Sequence, residues 1–195
     1  MKSKSKKTVL ITLCLLSIGL IVMIATSPFG QQKGFNYKLI LHSIDINAPV
    51  DSVYSFLGKS SNARKWSVFV NHISTLNEDK VSDGKVGCMR RCFQNENEKG
   101  LQWDEEIVIA EANKRRQLTI FNLKDFGITA EGLATEQIYE AVSSGKTRLS
   151  FTLFYKNNNP SIMDLLKTYF AAFEVKSIYE RNMANIKKII ETGRK

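Results

Sequence analysis

From Val68 to Tyr155 the chain reads as a succession of short β-forming segments, each closed by turn chemistry, and from Pro160 it becomes one long amphipathic stretch. Segments this short cannot bury an apolar face alone, so they must pair into a sheet and share a core with the amphipathic stretch. Val68–Leu76 opens the run. Asp83-Gly84 precedes a strand at Lys85–Gln94, Lys99-Gly100 precedes Leu101–Glu111, and Asn113-Lys114 precedes Arg115–Leu123. Thr135–Val142 and Thr147–Tyr155 flank "SSGK", a tight hairpin whose glycine supplies the positive φ it needs. "NNNP" ends the sheet.

The flanking segments complete the outline. "YKLILHSIDI" gives a first strand, Tyr37–Ile46. Pro49 fits the first turn of a helix, where it has no N–H to lose, and Asp51 in that turn meets the positive end of the helix dipole. Val50, Val53, Tyr54 and Leu57 recur at i, i+3, i+4 and i+7 until Gly58 stops the stripe. A second short helix is expected from about Ser61 to Lys65, ending at Trp66. In the last stretch, Ile162, Leu165, Leu166, Tyr169, Phe173, Met183, Ile186 and Ile190 mark an apolar face. The expected class is α+β: an antiparallel sheet of about seven strands wrapped around a long C-terminal helix, with two short helices after the first strand.

The N-terminus adds a separate element. "MKSKSKK" is a cationic leader, and Thr8 to Thr26 follows without a charge. As a helix that run spans about 28 Å, close to the ~30 Å hydrocarbon core of a bilayer. A cleaved signal has a shorter apolar region of about 7–15 residues and a small-residue cleavage site. Ala25-Thr26-Ser27 could supply the small residues, but Pro28 would then follow the scissile bond. Leu13 before Cys14 argues against a lipoprotein box. The expectation is an uncleaved anchor over residues 1–27, a linker over 28–36, and a domain over 37–195. Lysines 2, 4, 6 and 7 precede the span, which puts the N-terminus in the cytoplasm and the domain on the outer side of the cell membrane.

Charge and cysteines exclude other classes. The chain carries +9, but residues 1–32 hold four lysines and no acid, so the rest, with 24 basic and 19 acidic side chains, nets +5. Its basic residues are scattered rather than gathered on one face with aromatics, so no nucleic-acid partner is expected. Cys88 and Cys92, four apart in one strand, lie ~13 Å from each other, too far for a disulfide. Only His42 and His72 are available beside them as imidazole ligands, so neither a metal nor a cofactor is expected. There is no Gly-rich phosphate loop, G-x-S-x-G elbow or H-E-x-x-H, and no catalytic residue is assigned. Nothing in the sequence speaks to oligomeric state.

Residues 37–192 resemble the START-like (SRPBCC) superfamily, most closely its polyketide cyclase/dehydrase and lipid-transport branch. The resemblance rests on "SIDINAPVDSVYSFL", "NARKW", "DGKVGCMRR", "LQWDEEIVIAEANKRRQLTI" and "ANIKKIIE", taken in order and spacing. It implies a helix-grip fold, in which a curved sheet grips the long helix and leaves a cavity between them. Many proteins of this kind bind hydrophobic ligands such as lipids, sterols, polyketides or quinones; a minority are cyclases, dehydratases or hydrolases. The apolar N-terminal span departs from the soluble members.

Cavity candidates follow from strand alternation and this resemblance. On strand 101–111 the even set, Gln102, Asp104, Glu106 and Val108, is expected to face water. The odd set, Trp103, Glu105, Ile107 and Ile109, is apolar except for Glu105. That carboxylate is either a rim residue paired with Arg90 or Arg91, or a pocket group with a raised pKa. His42 shares its face with Ile40, Ile44 and Ile46, while Phe151 and Tyr155 share theirs with Leu149 and Leu153. Tyr169, Phe170 and Phe173 come from the terminal helix, and Trp66 would cap one end. The leading expectation is a membrane-anchored binder of a lipid, quinone or polyketide-like molecule. The alternatives are an enzyme of the same fold, using a His42/Glu105 pair, and a protein-interaction module with a filled core.

Overall fold

The computed structural model describes residues 2–157 and 159–193. Asn158 of the "NNNP" turn, Met1, and Arg194 and Lys195 at the end of the expected domain lie outside the described residues. The chain opens with α1 (Lys2–Thr26), followed by β1 (Gly30–Gln31), β2 (Lys38–Ile46) and α2 (Val50–Gly58). A 3-10 turn (Ser60–Asn62) leads into α3 (Ala63–Trp66) and then β3 (His72–Thr75), β4 (Met89–Phe93) and β5 (Gln102–Glu111). The last elements are β6 (Arg115–Lys124), β7 (Leu133–Ser143), β8 (Lys146–Tyr155) and α4 (Ile162–Thr192).

All strands join in one antiparallel sheet of order β1-β2-β8-β7-β6-β5-β4-β3. The curved sheet wraps the long helix α4, a helix-grip architecture of class α+β. β2 closes against β8, with Ile40 opposite Leu153, His42 opposite Phe151 and Ile44 opposite Leu149. Because side chains alternate, these pairs share the inner face, and α4 lies across them. One half of the core joins Ile46, Val53, Leu57, Leu149, Met183 and Ile186 between α2, the sheet and the C-terminal half of α4. The other half gathers Phe29, Ile40, Leu153, Tyr155, Tyr169 and Ala172 around the N-terminal half of α4.

Several elements differ from expectation, each for a local reason. The strand expected at Val68–Leu76 shrinks to His72–Thr75. Ser67 Oγ accepts from the N–H groups of Phe69 (3.0 Å) and Val70 (2.8 Å), and Val68 N–H donates to Asn182 Oδ1 (2.7 Å), so side chains take the bonds a ladder would use. The strand expected at Lys85–Gln94 begins only at Met89, after a turn in which Gly84 (φ +80°) approaches α2. A Cβ on Gly84 would stand 2.7 Å from the Gly58 carbonyl oxygen, so glycine is required there for both space and φ. Residues 28–36 hold an eighth strand, β1, paired with Lys38 and Leu39, and Phe29 there is 2% exposed. Finally, α4 starts after Ser161, not at Pro160: Ser161 Oγ accepts from Asp164 N–H (3.1 Å) as an N-cap, and Gly193 closes the helix at φ +66°.

Candidate functional site

A cavity of about 240 Å³, open at one side, lies between the inner face of the sheet and the middle of α4. Its floor comes from alternate residues of adjacent strands: Cys92, Trp103, Leu118, Ile120, Leu133 and Phe151. Its roof is Val175, Ile178, Tyr179 and Asn182, which recur at i, i+3, i+4 and i+7 on α4. Along the lining, Phe69 stacks on Trp103 (5.4 Å between ring centroids, 27°) and Phe126 meets Trp103 edge-on (5.9 Å, 70°). Phe69 reaches that position because the Ser67 turn breaks the expected strand.

One charge pair sits on the wall. Glu105 Oε2 accepts from Arg90 Nε (2.9 Å) and from Arg90 Nη2 (2.8 Å), and Glu105 Oε1 accepts from Trp103 Nε1 (2.9 Å). Arg90 Nη1 donates onward to Ser60 Oγ (3.0 Å), whose hydroxyl donates to Asp83 Oδ1 (2.6 Å). Both ions are buried, so the pair is neutralised within the protein. Burial alone works to lower the Arg90 pKa, but the Glu105 charge offsets it and the guanidinium is held above its ordinary value. Burial also raises Cys92, with Glu105 adding to the effect, so this wall cysteine stays a thiol. Tyr179 is likewise raised by burial; its hydroxyl is held by Thr135 Oγ1 (3.1 Å) and the Thr152 carbonyl (3.1 Å).

Trp66 completes the wall. Its ring packs edge-on against Phe151 (6.1 Å, 66°), and its carbonyl accepts from Asn185 Nδ2 (3.0 Å). Its Nε1 is buried with no hydrogen-bond partner among the described residues. An unpaired buried N–H costs about 1–3 kcal/mol, so it calls for a reason.

Of the nine expected cavity residues, Trp66, Trp103, Glu105 and Phe151 stand on the wall. The other five do not. His42 lies under α4, where its Nδ1 meets Lys176 Nζ (3.1 Å) and, farther off, Glu180 (4.0 Å). Tyr155 and Tyr169 pack on Phe29 (6.0 and 5.4 Å) in the neighbouring cluster. Phe170 and Phe173 point outward, 61% and 44% exposed, because the buried stripe of α4 passes through Thr168, Tyr169 and Ala172. Val175, Ile178 and Asn182 were missed, although the helical spacing that marked α2 also picks them out once Tyr179 anchors the phase. Asp104 is a further correction. It belongs to the outer face, as the alternation requires, but is 2% exposed instead of facing water, clasped by Arg91 (2.7 and 2.9 Å) and Asn122 Nδ2 (2.8 Å). Beyond a bulge after Ile107, Ala110 rather than Ile109 packs on the Cys88–Ile107–Leu118 cluster.

No family model matches the sequence, and no curated protein matches it. Solved structures share the fold. DynU16, from the dynemicin biosynthetic locus, superposes with TM-score 0.56 at 16% identity over 80% of this chain; the chain spans about half of DynU16, 48%. BexL, the di-domain ARO/CYC of the BE-7585A biosynthetic pathway, gives 0.56 at 15% identity, covering 78% of this chain and 46% of BexL. The Aha1 dimer from Colwellia psychrerythraea gives 0.56 at 19% identity, covering 80% of this chain and 98% of that one. At such identities the likeness speaks to architecture alone.

Proposed function

We propose that this protein is a membrane-anchored binder that holds an uncharged, mainly apolar small molecule in the cavity without transforming it. The observation that carries the reading is the cavity itself, with a predominantly apolar wall in a domain of otherwise well-packed clusters. An engineered apolar cavity of about 150 Å³ takes benzene, so a volume of 240 Å³ suits on the order of ten heavy atoms, with more of the ligand extending through the mouth. That size favours a ring-bearing molecule such as a quinone or a polyketide over a whole lipid. Burial of its surface would supply roughly 25 cal/mol per Å². The unpaired Trp66 Nε1 supports a ligand with a carbonyl or other acceptor at that end. Because Arg90 and Glu105 satisfy each other, the wall offers no free charge to a charged ligand.

Binding is favoured over acid–base catalysis by the same geometry. Both Glu105 oxygens are engaged, and the contacts of His42 are with Lys176 and Glu180, so the pair considered for chemistry does not meet. A filled interaction module fits less well, since its core would leave no cavity. The anchor belongs to this proposal too. α1 is long and apolar enough to cross a membrane between Lys7 and Thr26, and the lysines before it favour a cytoplasmic N-terminus. Tethering would raise the local concentration of a membrane-dwelling ligand.

Native mass spectrometry of the full-length protein in mild detergent tests the reading, with organic extraction of the released species. An uncharged apolar molecule should co-purify and be lost from Val175→Trp, which fills the cavity from its α4 roof. If wild type carries none and also fails to bind added menaquinone or a tetracyclic polyketide, the proposal is wrong.

A further inference from the structure

The N-terminal half of α4 carries large apolar side chains that the domain does not cover. Ile162 is 79% exposed, Met163 60%, Phe170 61% and Phe173 44%. These are not scattered. Ile162, Leu166, Phe170 and Phe173 follow at i, i+4, i+8 and i+11, and Met163 stands seven before Phe170, so they form one stripe along the helix. A contiguous stripe of this kind on a domain surface marks a contact with something apolar, unlike single exposed residues such as Val86 or Val142.

What lies beside it identifies the contact. α1 ends against the same half of α4: Ser27 Oγ donates to the Tyr169 carbonyl (2.9 Å), and Phe29 packs edge-on against the Tyr169 ring (5.4 Å, 75°). Met23 and Ile24 join that cluster, whereas apolar side chains from Val9 to Val22 stand open. The uncovered apolar cylinder of α1 therefore begins where the uncovered stripe of α4 lies, and no flexible linker separates them. Phe29 is buried, and β1 is hydrogen-bonded to β2. Lys38 and Lys167 flank the stripe: Lys38 Nζ reaches Tyr169 Oη (2.7 Å), and Lys167 pairs with Asp164 (3.7 Å) on the first turns of α4. Long cationic stems bordering an apolar face suit the headgroup layer, where the stem lies on apolar surface and the ammonium meets phosphate.

We infer that the Ile162–Phe173 face of α4 is seated in the headgroup and acyl boundary of the bilayer that α1 crosses, so the domain stands in a fixed orientation on the lipid surface. The inference rests on reading α1 as a membrane span. It goes beyond that reading because a span alone would allow the domain to swing free. The cluster holding the end of α1 also contains Leu133, Leu153, Val175 and Tyr179 of the cavity wall, so the seat joins the cavity to the membrane side of the domain.

Spin labels on the full-length protein in phosphatidylethanolamine–phosphatidylglycerol vesicles test this, read as collision rates with oxygen and with a water-soluble nickel chelate. Cys14 is exposed, whereas Cys88 and Cys92 are buried, so a label on native Cys14 reports the span. In a Cys14→Ser background, labels on Phe170→Cys and Met163→Cys report the seat. A label on Val86→Cys, exposed in the turn near the α2 end, is the aqueous control. The expected result is an oxygen-to-nickel ratio several-fold higher at 170 and 163 than at 86, with a higher value still at Cys14. A lipid-like Cys14 with 170 and 163 matching 86 overturns the inference and leaves the anchor standing. A water-like Cys14 overturns the anchor and the inference with it. Dipolar broadening between labels at position 170 places a second copy of the chain on this face and also overturns it.

Discussion

Removing the Glu105 carboxylate is the sharpest test of how the cavity wall is held. In Glu105→Leu, the donors Arg90 Nε (2.9 Å), Arg90 Nη2 (2.8 Å) and Trp103 Nε1 (2.9 Å) lose their acceptor together. Hydrogen bonds to charged groups contribute about 1.5–3 kcal/mol each, which would sum to about 4.5–9 kcal/mol if they were independent. They are not, since two share one guanidinium and Arg90 retains Ser60. Breaking one partner of a buried pair costs about 3–5 kcal/mol, and the Ser60 contact that Arg90 keeps argues for the lower end, near 3 kcal/mol. The double variant Arg90→Met/Glu105→Leu removes both charges and leaves Trp103 Nε1 and Ser60 Oγ with lost partners, so it should cost about 1–2 kcal/mol. Urea unfolding of the detergent-solubilised protein, followed by the fluorescence of Trp66 and Trp103, measures both. A single variant no less stable than the double would refute the argument that an unpaired buried charge, rather than lost packing, sets the penalty.

Three further outcomes follow from other contacts. Phe29→Ala removes a side chain that is 2% exposed and contacts two aromatic rings, and should cost about 3–5 kcal/mol; hydrogen exchange should speed up in β1 and in the last turn of α1 together. Asn182→Leu leaves the Val68 N–H without its 2.7 Å acceptor, so it should destabilise by about 1–3 kcal/mol and loosen the Ser67–Asn71 turn, read as a changed Trp103 emission from its Phe69 neighbour. Burial, with the Lys176 charge, holds the His42 pKa below its ordinary value, against an opposing effect of Glu180. The unfolded chain therefore binds more protons, and stability contributed by neutral His42 is full above about pH 6.5 and is lost as pH falls through the folded value. His42→Asn should flatten the acid side of a melting-temperature profile, and an unchanged slope would refute the assignment.

Local patterning determined the order of elements in this chain, because helix and strand periods and turn residues act over a few positions. The Val50–Leu57 stripe and the alternation of Trp103, Glu105 and Ile107 appear in the structure where their spacing puts them, and the "SSGK" hairpin forms, but Gly145 does not take the positive φ expected of it. The Trp66–Phe151 contact and the Glu105–Arg90 pair needed the tertiary structure. The first joins residues from a short helix and a distant strand; the second was one of two possible fates of a carboxylate in an apolar stripe until strand register set Arg90 opposite Glu105. The apolar face expected of α4 was too broad, since it took in Ile162 and Phe173, which the structure leaves exposed. Tertiary contacts with Phe29 and the sheet turned Tyr169 inward and left Phe170 and Phe173 outside. Backbone N–H bonds to Ser67 Oγ and Asn182 Oδ1 dissolved an expected strand and left Phe69 on the cavity lining. Periodicity says which residues share a face, but what covers that face depends on partners that strand pairing and packing bring in from other elements.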